Sequence, residues 1–207
     1  MSIDPCDVRG RFERALVGAG SIHSGDAVFE ELIARYGEAH RCYHTLEHID
    51  ACLTWLDWFY ASAERPAEVE LALWFHDAVY DPRRSDNERR SADLARERLR
   101  TLELPRAALD RIASCIESTE RHDAEEGDSA LVVDLDLTIL GASAREFDRF
   151  ERRVRQEYAH APELLYRPAR RRVLKRFLSR PVIYNVPVIR EALELRARSN
   201  LERQILA

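Results

Sequence analysis

The stretch from Pro66 to Tyr80, "PAEVELALWFHDAVY", constrains the fold of this chain more than any other. Pro66 suits the first turn of a helix, and Val69, Leu71, Ala72, Leu73, Trp74 and Phe75 then make that helix apolar nearly all round. A helix without a polar face has to be wrapped by other elements, so the remaining chain must supply a shell. The helix is expected to end near Asp81-Pro82, because a proline disfavours helical geometry at the residue before it.

Amphipathic helices for such a shell are legible on both sides. Val28, Phe29, Leu32, Ile33 and Tyr36 recur at helical spacing from Asp26, with Gly37 as a stop. A helix over residues 45–63 puts Ile49, Cys52, Leu53, Leu56 and Phe59 on one face. Further helices are expected over 85–102, from Leu104-Pro105 onward, and over 144–159, 162–179 and 188–204. The segment "SALVVDLDLTILG" has apolar residues at period two from Leu131 to Ile139, which would suit a strand, yet Leu131, Leu135 and Ile139 also repeat every four residues. In an otherwise helical chain the helix is the preferred reading. Residues 1–24 are weakly patterned, broken by Gly10, Gly18, Gly20 and Ser24-Gly25. With 7 Gly and 8 Pro among 207 residues, tight turns are too few for a β-sandwich. The expectation is a single all-α domain over residues 1–207.

Charge and cysteine usage narrow the functional classes. The 32 Lys+Arg against 37 Asp+Glu leave a net charge of -5, which argues against a nucleic-acid polymer or an anionic membrane as partner. A local basic pocket for one small phosphorylated ligand is compatible with that balance. Cys6, Cys42, Cys52 and Cys115 have neither metal-clamp nor redox spacing, and no stretch reads as a signal peptide or a span of ~20 apolar residues. These features imply a cytoplasmic chain with reduced thiols.

Four segments carry histidine or aspartate in unexpected settings. "HRCYHTLEH" places His44 and His48 at i,i+4, on one face if the helix has begun by His44. His76-Asp77 sits in the most apolar helix, where a polar pair is costly unless something satisfies it. "STERH" ends at His122 on the last turn of a helix, and "DLDL" puts Asp134 and Asp136 among apolar neighbours. Taken singly, each has an ordinary structural explanation: a surface histidine, an orienting pair, a cap or a helix-dipole partner. Together they match the way helical bundles assemble a metal centre from separate helices.

These residues carry a family resemblance. "RCYHTLEHI", "ALWFHDAVYD", "NERRSA", "DLDLTILG", "RQEY" and "ARSNL" occur in an order and spacing, over about residues 28–204, that resembles the HD superfamily of metal-dependent phosphohydrolases. The similarity is to a bacterial subfamily of predicted metal-dependent HD phosphohydrolases. It implies an HD-type helical bundle with His48, His76, Asp77 and Asp136 as ligands of a divalent ion (Mn, Co, Mg, Zn, Ni or Fe). His48 is preferred over His44 because it holds the family's histidine position before Ile49, and Asp136 over Asp134 because it precedes Leu137 in the closing motif. Asn87 and Glu88 stand where other members carry further histidines, so one ion is expected rather than two. The resemblance puts Asp134 beside the ligands, or among them if the register shifts, and leaves His122 free to bind phosphate or the reacting water. It groups His44 with these outer residues and favours Arg41, Arg155 and Arg170 as phosphate contacts.

The chemistry expected is attack of an activated water on a small phosphorylated molecule, a nucleotide among the candidates. Asp81 and Glu88 are the candidates for general acid or base, Asp81 lying one turn beyond Asp77 if the helix persists that far. An iron-dependent oxygenase and a non-catalytic metal- or nucleotide-binding sensor are the alternatives, and a homodimer is left open.

Overall fold

The computed structural model describes residues 5–124 and 126–206, with the backbone alone at 5–7. Among them lie ten α-helices and no strand: α1 Pro5–Gly18, α2 Asp26–Tyr36, α3 Leu46–Trp58, α4 Pro66–Phe75, α5 Asn87–Thr101, α6 Arg106–Ser118, α7 Gly127–Asp136, α8 Ala144–Glu157, α9 Glu163–Leu178 and α10 Pro187–Leu206. Short 3-10 turns follow α3 (Tyr60–Ser62) and α7 (Leu137–Gly141). The all-α expectation holds, including helix rather than strand at "SALVVDLD".

The apolar α4 occupies the centre. It packs against α1, α3, α5, α6 and α7, and Val69 and Leu71 to Phe75 are fully shielded from solvent. One cluster of buried apolar side chains runs from Val8 on α1 to Leu201 on α10. α8 is the opposite kind of helix, with Phe147, Phe150 and Val154 inward and a charged outer face. Its start is fixed by a reciprocal capping box between Ser143 and Glu146.

Three boundaries differ from the sequence reading. Residues 5–18, read as weakly patterned, form α1: Phe12, Ala15, Leu16 and Ala19 recur on one buried face, and the Phe12 ring meets Trp74 edge-on at 5.5 Å. Gly18, taken as a break, is where α1 crosses α4, since a Cβ there would sit 2.8 Å from the Cβ of Ala67. The second helix expected to reach residue 63 stops at Trp58. The central helix stops at Phe75, well short of Asp81.

Cys42, Cys52 and Cys115 are unpaired thiols; the Cys6 side chain lies outside the described residues. No described helix is long and apolar enough to cross a membrane.

Gly141 ends the 3-10 turn after α7 where α10 passes over it. An added Cβ would lie 2.7 Å from the Leu193 Cβ and 3.1 Å from the Leu193 carbonyl oxygen, neither of which is a flexible tip. Gly141→Ala is therefore expected to destabilise the fold by about 1–3 kcal/mol. Urea denaturation would measure it, and an unchanged midpoint would refute the close approach.

Candidate metal centre

Four helix ends deliver the site. Thr45 adopts the extended conformation before α3, so His48 falls in that helix's first turn, its side chain 3% exposed. His76 directly follows α4 and keeps helical angles, donating its N–H to the Ala72 carbonyl, and Asp77 comes next. Asp136 is the last residue of α7. His122 lies past the end of α6 in the left-handed region (φ 51°), a conformation histidine tolerates better than most side chains.

The donor atoms converge. His48 Nε2 is 3.2 Å from His76 Nε2 and 3.1 Å from Asp136 Oδ1, and His76 Nε2 is 3.6 Å from the same oxygen. His48, His76 and Asp136 thus form a trio of donors within 4.8 Å of one another that could hold a metal ion. Asp77 stands just outside the trio, with Oδ2 3.2 Å from His76 Nε2 and 3.6 Å from His48 Nε2. His122 Nε2 reaches the other oxygen of Asp136 at 2.9 Å.

This donor set fits a divalent cation. Ligands about 2.1 Å from one ion stand roughly 2.9–3.4 Å apart in octahedral or tetrahedral arrangement, close to the separations observed. The Nδ1 of His76 lies 2.8 Å from the Leu73 carbonyl, which can only accept, so Nδ1 carries the proton. The Nε2 lone pair then faces the centre, the tautomer-fixing arrangement usual for metal-binding histidines. Two imidazole nitrogens and two carboxylates gathered in one largely buried site need a shared positive charge, from a cation or from protons.

The electrostatics show how protons fill that need. Burial alone would lower the His76 pKa, but the Asp77 and Asp136 carboxylates outweigh it and hold it well above the ordinary histidine value. Burial alone would raise both aspartates, and the adjacent imidazoles overcome it and hold Asp77 and Asp136 below the usual carboxylate range.

The residues around the centre mostly anchor it. Glu157, at the end of α8, is fully buried and was not singled out from its motif "RQEY". Its Oε1 accepts the backbone N–H groups of Cys42, Tyr43 and His44 at 2.8, 2.7 and 3.0 Å. Its Oε2 accepts from His44 Nδ1 at 2.7 Å and the Tyr80 hydroxyl at 2.9 Å. His44 therefore precedes α3 and turns to Glu157; it does not share a helical face with His48. The Tyr43 ring, fixed by the same loop, packs on His48 with centroids 4.9 Å apart.

Several expected residues are occupied elsewhere. Arg41 is not a free phosphate fork: its guanidinium is fully buried and donates to the carbonyls of His44, Asp77 and Ala78 and to Glu38. Arg155 donates to Glu163 and to the carbonyls of Tyr158 and Ala161. Arg170 is held by Glu151. Asp134 faces away from the trio, accepting from the Val186 N–H at 2.6 Å, and burial pushes its pKa up to about 6. Asp81 lies in a turn, its Oδ1 accepting from the Arg83 N–H, because α4 does not extend to it. Glu88, in the first turn of α5, is partly buried and lies within electrostatic reach of both Asp77 and His122. Of the two acid–base candidates, Glu88 is the one whose charge couples to the centre. No family model, curated protein or solved structure matches the chain, so the functional reading rests on this geometry.

Proposed function

We propose that the chain is a metal-dependent phosphohydrolase acting on a small phosphorylated molecule, with a centre of the HD type. The observation that carries the reading is the convergence of His48, His76 and Asp136 from three helices, flanked by Asp77 and His122. When bound there, a divalent ion supplies Lewis acidity and neutralises phosphoryl charge.

The chain's own residues do the rest. Asp136 holds His122 through one oxygen and leaves the other toward His48 and His76. Burial pushes the Glu88 pKa upward, the Asp77 charge adds to that, and His122 opposes it. A carboxyl so placed takes the proton of the attacking water and returns it to the leaving oxygen. Room for a small molecule exists: a cleft of ≈ 420 Å³ opens beside His48, lined by Tyr43, Trp55 and Phe150 with Arg149 and Arg153. That volume lies in the range of small-ligand sites.

Purified protein supplied with manganese, cobalt or magnesium should release phosphate from a panel of phosphate mono- and diesters. Silence across the panel, with metal shown bound, would overturn the proposal. Glu88→Gln should retain metal while turnover falls about 100-fold. Full activity in that variant would remove Glu88 from the reaction.

A further inference from the structure

The groove between α8 and α9 carries a charge opposite to that of the chain. It encloses ≈ 590 Å³, and its walls hold Arg152, Arg155, Arg167, Arg170, Arg171 and Arg203 against three carboxylates. The chain as a whole has a net charge of -5. Among the arginines, Arg152 and Arg155 share one turn of α8, Arg167 and Arg171 stand one turn apart on α9, and Arg203 comes from α10.

The carboxylates are already engaged. Glu163 takes both Arg155 and Arg167, Glu151 takes Arg170 at 2.5 Å, and Asp148 takes Arg203 at 2.6 Å. Arg152 and Arg171 are exposed and have no ion pair or hydrogen bond among the described residues. The Tyr166 hydroxyl, in the same wall, is a buried donor without an acceptor. The groove thus offers two unpaired guanidinium forks, with the neighbouring arginines held in place by their carboxylates. None of His48, His76 and Asp136 lines it.

We infer that the α8–α9 groove binds a small anion carrying two or more phosphoryl groups, clasped between Arg152 and Arg171. Guanidinium forks match phosphoryl oxygens bidentately, and two forks brought to one groove by different helices suit a ligand with more than one anionic group. The volume is that of a nucleotide-sized ligand. This site is separate from the metal centre and does not rest on the phosphohydrolase reading.

Calorimetric titration of the full chain, stripped of metal, with inorganic tripolyphosphate at about 0.15 M salt tests it, since loose surface attraction is largely screened there. One saturable site is expected, retained in Asp136→Asn and weakened at least about 10-fold in the double variant Arg152→Gln/Arg171→Gln. Both replaced side chains are exposed, and circular dichroism would verify that the double variant folds. Absence of saturable binding, undiminished binding in the double variant, or loss of binding in Asp136→Asn would each overturn the inference. So would a single-stranded RNA oligomer binding more tightly than tripolyphosphate, which would assign the groove to a polymer.

Discussion

Asp136→Asn is expected to abolish stable loading with a divalent ion and, with it, phosphate release. Asp136 touches three histidines, at 3.1 Å to His48, 3.6 Å to His76 and 2.9 Å to His122, so it is the common member of the cluster. Asparagine keeps the shape but removes the anionic oxygen that both balances a cation and orients the imidazoles. Loss of a supporting partner alone typically weakens metal binding 10–100-fold; removing a donor should cost at least about 100-fold. Elemental analysis after manganese loading, with a thermal melt with and without metal, would measure it. Equal metal content in the variant and the parent would sink the assignment of the trio.

The same centre fixes a pH dependence whose sign can be stated. Metal and protons compete for the His76 Nε2, so metal affinity should rise with pH. In the metal-free chain the raised His76 pKa contributes stability that is fully present below the unfolded value of about 6.5. That contribution is lost as pH rises through the folded value. The metal-free protein should therefore lose stability on the alkaline side, and the loaded protein should not.

Glu157→Ala is expected to be strongly destabilising although it lies outside the centre. It would strip the acceptor from three backbone N–H groups, the His44 ring and the Tyr80 hydroxyl at once. An unsatisfied buried donor costs about 1–3 kcal/mol, and the set should cost about 3–5 kcal/mol because such losses are not additive. For a chain of this size that corresponds to a melting temperature lower by roughly 10–15 °C. A shift under about 2 °C would show that the loop before α3 does not depend on this carboxylate. Burial alone would raise the Glu157 pKa; the hydrogen bonds from His44 and the backbone outweigh it and hold it at about 2. Its contribution is thus present above the unfolded value of about 4.3 and lost as pH falls toward about 2. Glu157→Gln should flatten that acid limb.

Much of the fold was written in local pattern. Six apolar residues around α4 leave it no solvent face, which forces it to the centre whatever surrounds it. His76 and Asp136 stood out for a related reason, since polar groups in apolar stretches demand a partner. His48 was noted for its spacing from His44 and preferred on the family resemblance, and the three are one another's partners. α1 was hidden because glycine weighs against helix in a local reading, whereas the contact of Gly18 with Ala67 favours it.

Where α4 ends, and therefore which residues reach the centre, is a tertiary decision. The Val79 N–H goes to Ser91 Oγ, and the Asp81 N–H to Asn87 Oδ1, so side chains of α5 take amides that a longer helix would have bonded internally. Arg41 caps the freed carbonyls of Asp77 and Ala78 from 36 and 37 residues away. Residue pattern alone determined the helical class and drew out the segments that carry histidine and aspartate, while the choice of His48, His76, Asp77 and Asp136 among them is what the family resemblance implies. The turn that excludes Asp81, the anchoring of His44 by Glu157 and the consumption of Arg41 arise from hydrogen bonds between distant segments. Such bonds depend on donors and acceptors meeting in space, and no periodicity along the chain encodes that meeting.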